Sequence, residues 1–284
     1  MKSIILATDF SDRAERAAAR AIALAKAQGA ALNLVHIVDA GLPSRISQSQ
    51  QKAAEAQLEE TAEAATAEGV GFAISVKSGE AHEAISEAAA ETAAELIVIG
   101  AHRRDPKRNA FVGTTAERMI RVGSTPVLIV RSETPTAYGR IVVAVNLTDE
   151  GVGHLERVQK LGLSGADGLA PVFGYDAGEF HLMRDAGASQ AQLQTVFEAE
   201  KTSIMPTVSK LMGEAGLGAD QAIVKPILLN TPDTILSAAK EANADLLVVG
   251  ARRRTTFKRY TLGSVSEACL LRAETDLLVL PPEV

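Results

Sequence analysis

Cysteine is nearly absent from this chain. The single Cys269 rules out an internal disulfide, so nothing asks for an oxidising compartment; a reduced cytoplasm is the default, and helix packing is the expected role of that thiol. Long hydrophobic runs are missing too. Stretches such as LIVIG at 96–100 and LLVVG at 246–250 are five residues long, against the roughly 20 that span a bilayer, so no membrane partner is expected. Met1 and Lys2 lead straight into SIILATDFSD, which reads as strand and turn with no extended charged leader, and secretion is not implied. Positive charge is in the minority, with 29 Lys and Arg against 35 Asp and Glu and a formal net charge of −6. That argues against broad nucleic-acid binding, which needs a basic face to displace phosphate counterions. No Cys, His and carboxylate cluster has metal-ligand spacing, so no metal site is expected. No nucleophile stands with a paired base, so an enzymatic role is unsupported.

What is present is a repeat. IILATDFSD at 4–12 matches IVVAVNLTD at 141–149 at an offset of 137, and ELIVIGAHRR at 95–104 matches DLLVVGARRR at 245–254 at an offset of 150. The 284 residues therefore read as two domains, 1–135 and 136–284, joined by the polar stretch SETPTAYGR, and each half has enough apolar residues for its own core. The thirteen residues by which the offsets differ are expected between the second and third strands of the second copy, with AGEFHLMRDAGASQAQ as a longer loop before another helix. Strand candidates are IILAT, LNLVHIV, GFAISV, LIVIG and PVLIV in the first copy, and IVVAV, LAPVFGY, AIVKPIL, LLVVG and LLVL in the second. Their unbroken apolarity suits strands covered on both faces, and Ala-rich helical patterns lie between them. The fold class is α/β: two tandem, open, mostly parallel five-stranded sheets flanked by helices. In such sheets a ligand sits beyond the carboxyl ends of the strands, where strand order reverses.

After the fourth strand each copy has the same kind of loop, GAHRRDPKRNAFVGTT at 100–115 and GARRRTTFKRYTLGSV at 250–265. Each ends at a capping-box pattern, Thr114 with Glu117 and Ser264 with Glu267. A helix start offers unpaired N–H groups, and Gly113 or Gly263 just before it would let a phosphate approach the backbone. The alternative is that the hydroxyls cap their helices and the glycines make turns, with no ligand. The loops also gather Arg103, Arg104, Lys107 and Arg108 in the first copy, and Arg252, Arg253, Arg254, Lys258 and Arg259 in the second. Polyphosphate is one counterpart for such charge and a solvated or ion-pairing loop is the other.

Over nearly its whole length the chain resembles the universal stress protein family in its tandem form. ATDFSD after strand one, LVHIVD in strand two and the loop after strand four carry the resemblance. It implies a Rossmann-like fold of the adenine nucleotide α-hydrolase type and a site for ATP or a related adenine nucleotide. ATP-binding members have G-x-x-G, nine residues, then G-[S/T]. Here the outer positions fall on Gly100, Gly113 and Thr114, and on Gly250, Gly263 and Ser264, while Arg103 and Arg253 replace the middle glycine in both copies. By the same resemblance Asp9 matches the aspartate that contacts the nucleoside, with Asn146 as its counterpart. Ile37 matches the strand-two residue lying against the base, with Gly174 as its counterpart; for Ile37 plain core packing is the competing reading. His36 reads as a satisfied interior histidine, and His102 lies in the loop. The first copy is the better candidate.

Two functions remain. One is a cytoplasmic stress-response regulator that binds an adenine nucleotide, hydrolyses it slowly if at all, and presents an altered surface to a protein partner. The other is an interaction scaffold whose degenerate sites bind no nucleotide, as the missing middle glycines suggest. A nucleotide-dependent enzyme is weaker, since Asp105 is the only carboxylate in the loops. The resemblance also implies pairing through last strands, so that PVLIV and LLVL meet across a pseudo-twofold axis as a pseudo-dimer within one chain, with a homodimer of chains left open. Paired edges would remove an aggregation hazard.

Overall fold

The computed structural model describes residues 1–101, 115–133, 137–253, 260–261 and 263–282. The first repeat runs β1 (Ser3–Ala7), α1 (Asp12–Gln28), β2 (Ala31–Val38), α2 (Ser44–Ala67), β3 (Phe72–Ser78), α3 (Ala81–Glu91), β4 (Leu96–Gly100), α4 (Thr115–Val122) and β5 (Val127–Val130). The second runs β6 (Ile141–Val145), α5 (Asp149–Lys160), β7 (Leu169–Asp176), α6 (Gly178–Asp185), α7 (Gln190–Glu214), β8 (Ile223–Ile227), α8 (Thr231–Glu241) and β9 (Leu246–Gly250). It ends with a small hairpin, β10 (Arg252–Arg253) and β11 (Tyr260–Thr261), then α9 (Ser264–Arg272) and β12 (Asp276–Leu280). All ten apolar runs fold as strands. The hairpin within the second basic loop was not legible in advance.

By contact the chain forms two compact units, and these are not the two repeats. Unit 1 comprises Met1–Ala137, Ala251–Gly263 and Glu274–Val284. Its strands lie in the order β3-β2-β1-β4-β5-β12. Neighbours are parallel except β5 and β12, which are antiparallel with Leu128 opposite Leu278, so PVLIV and LLVL do pair. Ile4, Ile5, Leu6, Leu96 and Leu128 have no solvent exposure, as strands covered on both faces require. A polar group pins β12: the fully buried Asp276 accepts the N–H groups of Arg131 and Ser132 through Oδ1, at 2.8 and 2.9 Å, and the Ser132 hydroxyl through Oδ2 at 3.1 Å. Its charge is met by the buried guanidinium of Arg20, whose Nε lies 3.3 Å from Oδ2. A carboxylate is tolerated in such a place only when paired and hydrogen-bonded.

Helix α1 begins where Ser11, in extended conformation, accepts the N–H of Ala14, and ends at Gly29, whose φ of 62° is the left-handed turn that glycine adopts without strain. Its buried stripe of Ala14, Ala17, Ala21, Leu24 and Ala25 is mostly small, which lets the helix main chain come close to the sheet. Strand β1 has β2 on one side and β4 on the other, so the order reverses at β1, and the crevice beyond the carboxyl ends of β1 and β4 is the topological switch point.

Unit 2 comprises Tyr138–Gly250 and Ser264–Ala273. Its strands lie in the order β9-β6-β7-β8, all parallel. Two expectations are corrected here. The stretch expected as a loop contains helix α6, because Phe180 and Met183, one turn apart, pack with Tyr175 and Phe197; the Phe180 and Phe197 rings stack at 4.0 Å. Ser189 and Gln192 then form a complete capping box that starts α7. The thirteen extra residues are also divided. Lys77 faces Ile37 and bonds Glu91, while Lys225 faces Gly174 and bonds Glu241, so Lys225 is the counterpart of Lys77; eleven of the extra residues precede it and two follow it. The two fall after β8, where Leu228 and Leu229 stand 41% and 84% exposed. Cys269 is buried in α9, as expected. Among the described residues no helix is long and apolar enough to cross a membrane.

Candidate functional site

The switch point of unit 1 is built by register. Ala7 lies opposite Val35 on β2 and Ile99 on β4, so Asp9, Ile37 and Gly100, which follow those residues, share one edge of the sheet. Asp9 is exposed there. Its Oδ1 accepts from the N–H of Ser11 at 3.1 Å and from the Ser11 hydroxyl at 2.5 Å, a turn that fixes the carboxylate at the start of α1. Between them Phe10 takes a φ of 58°, held by its N–H donating to the Thr8 hydroxyl at 3.0 Å. The Phe10 ring stacks on His36 at 4.5 Å, and His36 Nδ1 lies 2.9 Å from the Thr8 carbonyl. A carbonyl only accepts, so Nδ1 carries the proton, and His36 braces the turn as a structural histidine. Ile37 is half-buried opposite Lys77.

Gly100 has a packing reason of its own. A β-carbon placed on it would lie 2.6 Å from the Arg13 carbonyl oxygen, so the main chain of α1 rests directly on the end of β4. In unit 2 a β-carbon on Gly250 would instead meet the His154 ring, with Cε1 at 2.0 Å. An imidazole occupies there what the helix backbone occupies in unit 1.

Other features of unit 2 also differ. Asn146, the counterpart of Asp9, is engaged at both ends of its amide: Oδ1 accepts the Thr148 hydroxyl at 2.6 Å and Nδ2 donates to Glu150 at 3.0 Å. Thr148 precedes α5 without capping it through its side chain. Gly174, the counterpart of Ile37, has Ile227 Cγ1 and Cδ1 at 3.2 and 3.3 Å from where a β-carbon would sit, so the space of the missing side chain is filled from β8. Helix α9 runs from Ser264, so Gly263 directly precedes its first residue. One turn in, Ser266 donates to the Gly250 carbonyl at 2.6 Å and ties the start of the loop to the helix.

Arg103, Gly113 and Thr114 lie outside the described residues, as do His102, Arg104, Asp105, Lys107, Arg108, Arg254, Lys258, Arg259 and the boundary at 136. For Arg252 and Arg253 only the main chain, in β10, is described. Residues that sequence reasoning passed over are Arg13, His154, Ile227 and Glu150. The exchange of Arg13 for Glu150 at the repeat offset of 137 was readable in advance; the filling of space by Ile227 depends on strand register and was not. Among the described residues no group of three or more His, Cys, Asp or Glu is arranged to hold a metal.

The universal stress protein family matches this chain twice, over residues 1–131 and 137–281. A universal stress protein of Thermus aquaticus is 34% identical over 136 residues, which is 46% of this chain and 98% of that protein. One from Methanocaldococcus jannaschii is 30% identical over 139 residues, 46% of this chain and 82% of its own. Among solved structures, a universal stress protein from Archaeoglobus fulgidus aligns over 98% of both chains with a TM-score of 0.72 and 18% identity, a likeness of fold. With one match for each repeat and this architecture, the chain belongs to the universal stress protein family, in tandem form.

Proposed function

We propose that this chain is a cytoplasmic stress-response regulator that binds ATP or a related adenine nucleotide, and does so in its first repeat. The observation that carries the reading is Asp9. Its carboxylate is exposed at the reversal of strand order, held by Ser11, and shares an edge with Ile37 and Gly100, the residues that match the family's nucleotide pattern. An adenine nucleotide would take its nucleoside contact from Asp9 and rest its base by Ile37. Occupancy would act on a protein partner only through contacts that differ between the bound and free states. The second repeat is poorly suited, because Asn146 is tied to Thr148 and Glu150, and Ile227 fills the space beside Gly174. The residues 1–135 and 136–284 form the two domains of this reading.

A second reading has its own support. Arginine stands at the middle glycine position in both copies, Arg103 and Arg253, which suits a scaffold that has lost its ligand. The two are separated by releasing small molecules from freshly purified protein with acid, chromatographing them, and titrating ATP calorimetrically into the emptied chain. Heat that disappears in Asp9→Ala supports the nucleotide reading. Absence of heat in the parent leaves the scaffold.

A further inference from the structure

We propose that Arg13 binds the phosphates of that nucleotide, and that Glu150, in the same place on α5, excludes them from the second repeat, so that one chain takes one nucleoside polyphosphate. This rests on the nucleotide reading and adds to it a residue outside the pattern that carries the family resemblance.

The first observation is an unbalanced row of arginines. Arg13, Arg16 and Arg20 recur at the i, i+3, i+7 spacing of one helix face on α1. Arg16 pairs with Glu133 at 3.1 Å and Arg20 with Asp276 at 3.3 Å. Arg13, the one nearest the switch point, has no carboxylate among the described residues, and its Nε is buried without a hydrogen-bond partner there. A buried N–H of a permanently charged guanidinium with no acceptor is unfavourable unless something else supplies one.

The second observation is position. Arg13 is the second residue of α1, where the helix dipole disfavours a cation, and its carbonyl rests against Gly100, at the end of β4. Asp12 and Glu15 in the same turn suit the dipole; Arg13 does not. A polyphosphate in the crevice would supply the guanidinium with the anion it lacks and reverse the unfavourable sign, and an arginine fork suits phosphate oxygens.

The third observation is the other repeat. There the same station holds Glu150, which accepts from Asn146 at 3.0 Å. A carboxylate at that point repels the group that Arg13 would attract, and the space beside Gly174 is filled as well.

The test is calorimetric titration of the full chain, parent and variants, with ATP, AMP and adenosine, each variant checked by thermal melting. Arg13→Gln is expected to weaken ATP at least about tenfold, in the range of a lost charge-assisted hydrogen bond, while adenosine binding stays as in the parent. Arg13→Lys, which keeps the charge and loses the fork, is expected to fall between. The parent is expected to bind one ATP per chain. Unchanged ATP affinity in Arg13→Gln, an equal loss for adenosine, or two ATP per chain would overturn the proposal while leaving nucleotide binding intact. A parent that binds no adenine compound would instead overturn the nucleotide reading on which it rests.

Discussion

The carbonyl oxygen of Arg13 lies 2.6 Å from the point that a β-carbon on Gly100 would occupy. No real β-carbon approaches a main-chain oxygen so closely, so Gly100→Ala must push α1 away from β4. Overpacking of this kind costs about 1–3 kcal/mol, to be read from urea unfolding. The same change at Gly250 meets the far end of the half-buried His154 side chain rather than main chain. Gly250→Ala is expected to cost less than Gly100→Ala. Equal losses would contradict the difference in packing.

Asp276 and Arg20 give a second prediction. Asp276→Ala removes, in a buried place, the carboxylate that faces the Arg20 guanidinium and accepts the N–H groups of Arg131 and Ser132. Breaking such a pair from one side costs about 3–5 kcal/mol. The double variant Arg20→Met, Asp276→Ala is expected to lose less than the two single losses added together, because it leaves no unpaired charge. Strict additivity would mean that the two charges do not interact.

Tyr175 predicts an alkaline response. Burial first, then the charges of Glu200 and Glu198, raise its phenol above the ordinary 10.0. The folded chain therefore holds this proton to higher pH than the unfolded chain does. The contribution to stability is fully present below 10.0 and is lost as pH rises through the raised folded value. Urea midpoints of the parent and Tyr175→Phe, compared at about pH 9 and about pH 11, are expected to show a steeper fall in the parent. Parallel falls would refute it.

The strands were legible because both faces are covered: LIVIG and LLVVG are apolar throughout, and no other assignment suits a five-residue run between helical patterns. Asp9, Ile37 and Gly100 were placed by resemblance, and the parallel register through Ala7 brings them to one edge. Helix α6 was missed because its reason is tertiary: Phe180 is helical on account of Phe197, seventeen residues later on α7. The pairing of β12 with β5 was foreseen, but the carboxylate that secures it was not, since Asp276 at the head of an apolar run reads as an ordinary turn residue until Arg20 is beside it. Arg13 was overlooked for the same kind of reason. A single arginine near a helix start looks solvated, and only the carboxylate partners of Arg16 and Arg20 make it visible that Arg13 has none among the described residues.

One nucleotide is proposed at the carboxyl ends of β1 and β4, and calorimetric stoichiometry with ATP tests this most directly. The predicted result is one ATP per chain in the parent, none in Asp9→Ala, and one still in Asn146→Ala. Saturating binding that survives Asp9→Ala and is lost in Asn146→Ala would put the ligand in the other repeat and contradict the account.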